Sequence, residues 1–229
     1  METWFETTAV GRYTAQKERA FFAPYLNGGK DCTVRLGAAW LRPSENVVCV
    51  PEDVAMAAEL PAFALQSLDC LLLPHTHEYS SHPLQTLRAA ADMLKHGGRL
   101  VLTGFNPHSL WRWRPRFDGT DLPLRRHCLP LPELSNEMKR LGFDMEYGKF
   151  MVYIPPVASP KAINRWQFME KAGDRWWPQA AAVYGLVWVK RFAGVHPLGD
   201  RETLPDTLPV ALGLAKCGGM ECTEEKKYG

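Results

Sequence analysis

Three imidazoles and a carboxylate lie close together in the run PHTHEYSSHP: His75, His77, Glu78 and His82. A histidine changes charge near neutral pH, so His75 and His77 are candidates to take up a proton in a reaction. Neutral imidazole is also a zinc ligand, and an H-x-H pair followed by a third histidine invites a metal. A second polar group follows in GFNP, where the amide of Asn106 can orient a bound molecule through its donor and its acceptor. Both sets have structural uses as well: His82 can open a helix, and Asn106 before Pro107 can cap a turn.

The elements that must position these groups are legible around them. Cys70 to Leu73 is a continuous apolar run bounded by Asp69 and Pro74, the pattern of a strand buried on both faces. Leu84, Leu87, Ala91 and Leu94 recur at helical spacing, and Gly97 with Gly98 is expected to stop that helix. Arg99 to Thr103 is the next strand, and a helical crossover of this length joins parallel strands. The histidine run and GFNP therefore follow the carboxyl ends of two parallel strands, where ligands of open α/β sheets collect.

This strand, helix, strand unit, with its His-containing loop ending in Pro and its GGRLVL, resembles the fourth and fifth strands of a class I S-adenosylmethionine-dependent methyltransferase. LPELSNEMKRLGFDMEYGKF resembles the sixth helix and strand of that fold, and AAVYGLVWVKR its last strand. GFNPHSLW, RWWP at Trp176 and the early GRY are similar to a bacterial methyltransferase-like subgroup, so the resemblance spans about Trp4 to Arg191. It implies a Rossmann-like three-layer α/β/α fold with a mostly parallel sheet, S-adenosylmethionine as cofactor, and an acceptor that could be a small molecule or RNA. On the matching positions, Gly37, Ala38, Glu52, Asp53, Leu73 and His75 would line the cofactor; Tyr13, Glu78 and Asn106 would face the acceptor; and His75, His77 or Asn106 would assist the transfer.

The chain also departs from that pattern. The first-strand turn reads VRLGAAWLRP, with Gly37 alone where a glycine-rich turn is usual, and Trp40 and Pro43 suit a cradle poorly. Between Leu36 and Asp69 only Asn46 to Val50 supplies a strand, so the first half is shortened by one. Glu52 and Asp53 can accept hydrogen bonds from ribose hydroxyls or begin a helix over VAMAAEL. These departures motivate a rival reading, a binding or regulatory protein that keeps the fold without catalysis. A zinc hydrolase using HTHEYSSH is a weaker rival, because the metallo-β-lactamase-type pattern needs Asp and His where this chain has Tyr79 and Ser80; no metal is expected.

At 229 residues and a net charge of +2, the chain suits one α/β domain and gives no global case for nucleic acid or membrane affinity. The domain is expected over 1–198, with an N-terminal helical segment in 1–30 spanning Arg12 to Leu26, where Tyr13, Phe21, Phe22 and Tyr25 pack on the sheet or lid the site. An inserted helix is expected in 161–178 with a weak point at Gly173, and a disordered tail over 199–229. METWFETTAVGRY lacks the apolar centre of a signal peptide, and a cytoplasmic location is expected. Trp111, Arg112, Trp113, Arg114 and Arg116, with Arg125 and Arg126, form a basic, aromatic stretch that could meet an anionic partner such as RNA or a membrane, or be a solvated loop.

Overall fold

The computed structural model describes residues 2–26, 32–41, 46–54, 63–111 and 127–191. The expected VAMAAEL helix, the basic stretch beyond Trp111, and the tail from residue 199 lie outside them. In chain order the main elements are α1 (Glu2–Thr7), α2 (Ala9–Phe22), β1 (Thr33–Leu36), β2 (Val47–Val50), β3 (Leu68–Pro74), α3 (Thr76–Tyr79), α4 (Pro83–Met93), β4 (Leu94–Phe105), α5 (Leu131–Arg140), β5 (Phe143–Met151), α6 (Pro160–Trp166), α7 (Phe168–Trp176) and β6 (Val183–Lys190).

The strands form one sheet in the order β2-β1-β3-β4-β6-β5. β2, β1, β3 and β4 are mutually parallel, and β6 is inserted antiparallel to both β4 and β5. The fold is thus mixed α/β with a mostly parallel sheet, as the sequence implies, and one strand lies outside β1 among the described residues.

Period-two alternation divides the core between the two sheet faces. Cys70 and Leu72 of β3, Val101 and Phe105 of β4, and Val183 and Val187 of β6 pack with Phe5 of α1 and with Val10, Phe21 and Phe22 of α2. Their neighbours Leu71, Leu73, Leu100, Leu102, Leu186 and Trp188 pack with Leu87 and Ala91 of α4 and Leu134 and Met138 of α5. Helices therefore cover both faces, giving three layers. This double burial is why β3 reads as an unbroken apolar run; each leucine stabilises the fold by about 1.5–3 kcal/mol. The edge strand β5 exposes Asp144 and Glu146, charges that discourage pairing with a further strand.

Three expectations require correction. The first helix does not begin at Arg12: Thr8 caps α2, its hydroxyl accepting the Gly11 N–H at 3.0 Å, and α1 precedes it. Gly97 and Gly98 do not stop α4, which ends at Met93; they lie within β4, where residues 95–98 bulge between the Leu68–Leu94 and Cys70–Arg99 pairings. The bulge is fixed by Lys95 Nζ, 2.8 Å from both carboxylate oxygens of Asp69. The inserted helix is two helices, α6 and α7, broken at Gln167, and Gly173 lies inside α7, where a Cβ would strike the Tyr153 ring.

Candidate functional site

The chain runs from β1 outward to β2 and then returns to place β3 on the other side of β1, so the switch point of the sheet lies between the carboxyl ends of β1 and β3. Three residues there hold left-handed backbone: Gly37 (φ 72), which adopts it freely, and Ala38 (φ 60) after β1 and His75 (φ 56) after β3, for which it is strained. Strain of this kind persists only where its surroundings enforce it. Here the Thr76 hydroxyl donates to the Leu36 carbonyl, Gly37 N–H donates to Val50 O at 2.8 Å, and His75 N–H donates to Thr103 O at 3.0 Å.

His75 sits at the centre of a sealed charge network. Its Nε2 is 2.6 Å from Glu18 Oε1 of α2, its Nδ1 is 2.7 Å from Glu78 Oε2 of α3, and all three side chains are fully buried. Burial alone would lower the His75 pKa, but the two flanking carboxylates outweigh it and raise it to about 10. Glu18 is raised by burial against the opposing pull of His75. Glu78 also accepts the Phe105 N–H at 2.6 Å, whereas Glu18 Oε2 has no partner among the described residues. Thr103 Oγ1, placed on the same sheet face by alternation, is likewise buried without one. His77 is separate: it faces Tyr184, whose hydroxyl is 3.5 Å from Nε2, and burial lowers its pKa to about 4.

Arg35, buried inside β1, links the two neighbouring strand ends. Its guanidinium donates to Gly37 O and, at 2.7 Å, to Glu52 Oε1 just beyond β2. The Glu52 side chain remains 39% exposed. Asp53 instead closes the end of β2, its carboxylate accepting the Cys49 N–H at 2.7 Å.

The crevice over these strand ends is filled from the N-terminal side. The Phe5 ring stacks on Trp40 with centroids 4.7 Å apart and lies 5.3 Å from the His75 ring and 6.3 Å from Phe105. Arg19 of α2 holds the Trp40 carbonyl from Nη2 at 2.7 Å. Ala38, expected to border a ligand, is buried in this cluster.

The sequence candidates therefore separate. Gly37, Ala38, Glu52, His75 and Glu78 gather at or beside the switch point. Leu73 is buried on the opposite, α4 and α5 face. Tyr13 lies across α2 from Glu18, in a groove with Ile163, Asn164 and Gln167. Asn106 is consumed in tying β4 to the segment before β6: Nδ2 donates to Gln179 O and Ala181 O at 2.7 and 3.0 Å, and Oδ1 accepts the His108 N–H. The histidines of HTHEYSSH point apart, with His82 preceding α4, and no group of three or more His, Cys, Asp or Glu residues could hold a metal ion among the described residues. Glu18, Arg35, Phe5 and Trp40 were not marked by motif. Glu18 had a signal, a charge on the stripe Val10, Thr14, Glu18, Phe21, and so did Arg35, a charge inside a short buried strand.

No family model and no curated protein matches the chain. Among solved structures it is similar to an S-adenosylmethionine-dependent methyltransferase from Mesorhizobium loti, with 14% identity, 77% of this chain and 98% of that chain covered, and a TM-score of 0.49. A putative S-adenosylmethionine-dependent methyltransferase from Listeria monocytogenes gives 13% identity, coverages of 78% and 97%, and a TM-score of 0.49. The [4+2]-cyclase SpnF gives 13% identity, coverages of 76% and 80%, and a TM-score of 0.49.

Proposed function

We propose that this chain is an S-adenosylmethionine-dependent methyltransferase whose cofactor crevice is held shut, in the conformation described, by α1 and the Trp40 loop. The observation that carries the reading is the convergence of Gly37, Ala38 and His75, all with left-handed backbone, at the switch point between β1 and β3. The sequence resemblance to class I methyltransferases runs through these same strand ends.

The residues present fit such a cofactor at the strand ends. The Gly37–Ala38 turn is a backbone surface that a ligand can approach closely, and Glu52, steadied by Arg35, offers a carboxylate to ribose hydroxyls. What obstructs the crevice is Phe5 of α1 and Trp40 of a loop, not a side chain of the sheet. α2 is fixed more firmly, with Phe21 lying against Gly185 and Glu18 bound to His75. Withdrawal of α1 with the Trp40 loop would open the crevice and leave Glu18 in place.

S-adenosylmethionine, when bound, supplies an electrophilic methyl group. The chain's own contribution is to orient the acceptor, exclude water and take up any proton the acceptor loses. Of the titratable groups, His75 is already protonated at neutral pH and His77 binds a proton too weakly to serve well. Glu18 Oε2, buried and unpartnered, is the better placed proton acceptor, and the proton would rest in the Glu18–His75 pair.

A second reading is favoured by the same obstruction: the fold serves binding or regulation, and the Phe5–Trp40 stack is a permanent plug. Titration calorimetry with S-adenosylmethionine and S-adenosylhomocysteine, on the natural chain and on Gly37→Arg, separates the two. Micromolar binding abolished by Gly37→Arg is the expected result. Absence of binding at millimolar ligand would establish the second reading instead.

A further inference from the structure

The most exposed aromatic surface of the described residues lies away from the crevice, on α6, α7 and the turn after them. Phe168, Trp176 and Trp177 are 63%, 67% and 59% exposed, and Trp166 stands beside them with its ring 5.8 Å from Phe168. A core has no use for these rings: α7 already faces the body of the protein through Glu170, whose Oε1 accepts the Tyr153 N–H at 2.9 Å, and through Gly173, seated against the Tyr153 ring. The opposite side of the helix carries Phe168, Lys171 and Arg175, at spacings of three and seven residues, with Trp176 alongside.

Charge on this surface is mostly positive. Lys161, Arg165, Lys171 and Arg175 are all exposed. Of the two acidic residues, Glu170 is turned inward to Tyr153 and Lys17, which leaves Asp174 as the counter-charge at the flank. Short helices that present tryptophan and phenylalanine among lysine and arginine suit the headgroup region of a bilayer, where the rings enter the interface and the cations meet lipid phosphates.

We propose that the α6–α7 surface docks the protein peripherally on an anionic lipid bilayer, through Trp166, Phe168, Trp176 and Trp177 with Lys171 and Arg175 beside them. Two other occupants fit less well. Base stacking by RNA is favoured by free ring faces, but Arg175 lies over one face of the Trp176 ring at 5.7 Å and the Trp166 and Phe168 rings are tilted against each other at 5.8 Å. A second copy of this chain, meeting the surface about a two-fold axis, would set its cations against themselves. No described helix is long and apolar enough to cross a membrane, so contact through this surface would be interfacial.

The test is co-sedimentation of the full chain with vesicles of phosphatidylcholine alone and with about one third phosphatidylglycerol, with tryptophan emission recorded in parallel. The expected result is partition onto the anionic vesicles with a blue shift. Lys171→Gln/Arg175→Gln should weaken that partition about 25-fold, at roughly fivefold per cation. Phe168→Ser/Trp176→Ser should weaken the partition and reduce the blue shift, with Trp166 and Trp177 still present, while leaving Tm within a few degrees, since both side chains are exposed. Failure to bind anionic vesicles, or binding that neither double variant weakens, would overturn the proposal. So would tight binding of a single-stranded RNA oligonucleotide, lost in both variants, without vesicle binding.

Discussion

His75 and His77, two positions apart and both sealed from water, are displaced in opposite directions by their surroundings. His75, between Glu18 and Glu78, holds its proton more tightly in the folded chain, with a pKa of about 10 against 6.5. Its contribution to stability is therefore fully present below pH 6.5 and is lost as pH rises through about 10. For His77 the sign is reversed: with a pKa of about 4, it contributes above pH 6.5 and that contribution is lost as pH falls through about 4. Glu18, raised by burial, acts in the same sense as His75. Melting curves followed by circular dichroism across this range should show His75→Gln with a shallower alkaline decline and His77→Gln with a shallower acid decline. If neither variant changes the profile, the buried network does not hold the charges assigned to it. The chemistry of this run was visible in the spelling of PHTHEYSSHP, but its outcome was not. Glu18, 57 residues away, decides which histidine is charged, and only tertiary packing brings it there.

On the proposed account the sheet and its covering helices divide into parts that stay fixed and a part that moves. Gly104 in β4 is a fixed part: a Cβ there would fall on the Tyr184 ring and hydroxyl. Gly104→Ala should cost about 1–3 kcal/mol by overpacking. In urea titrations, Gly104→Ala/Tyr184→Leu should lose less than the sum of its single changes, because the smaller residue removes the clash. Additive losses would mean that the strain lies elsewhere. Such elements were readable in advance where burial on both faces writes an apolar run, as in β3 and β6, or where a helical period does, as in α4, whereas the exposed edge strand β5 was legible through its resemblance alone. α1 and α3, of six and four residues, are too short to show a period, and their existence depends on what they pack against. The Gly97–Gly98 pair reads equally as a helix stop or a bulge; the pairing of Leu68 with Leu94 selects the bulge. On the proposed account α1 is the part that would move, a six-residue helix that places Phe5 over His75.

At the scale of the whole molecule, a mostly parallel α/β sheet has the switch point among its described strands covered by Phe5 and Trp40. The sequence expectation of few strands between Leu36 and Asp69 agrees with one strand, β2, outside β1 among the described residues, and Gly37 stands alone in the first turn. The plug was not legible, because Phe5 and Trp40 meet across 35 positions of sequence and neither belongs to a motif. If α1 is a lid, the apparent affinity for cofactor is the intrinsic affinity scaled by the fraction of molecules that are open. Removing the Phe5 ring takes away a buried aromatic, a loss of about 3–5 kcal/mol from the closed arrangement. The most direct measurement is titration calorimetry of S-adenosylhomocysteine against the natural chain and against Phe5→Ala. The account predicts binding that tightens at least about tenfold in Phe5→Ala, with a lower Tm in the absence of ligand. Binding that is equal or weaker in Phe5→Ala, or undetectable in both proteins, would contradict a cofactor crevice beneath that ring.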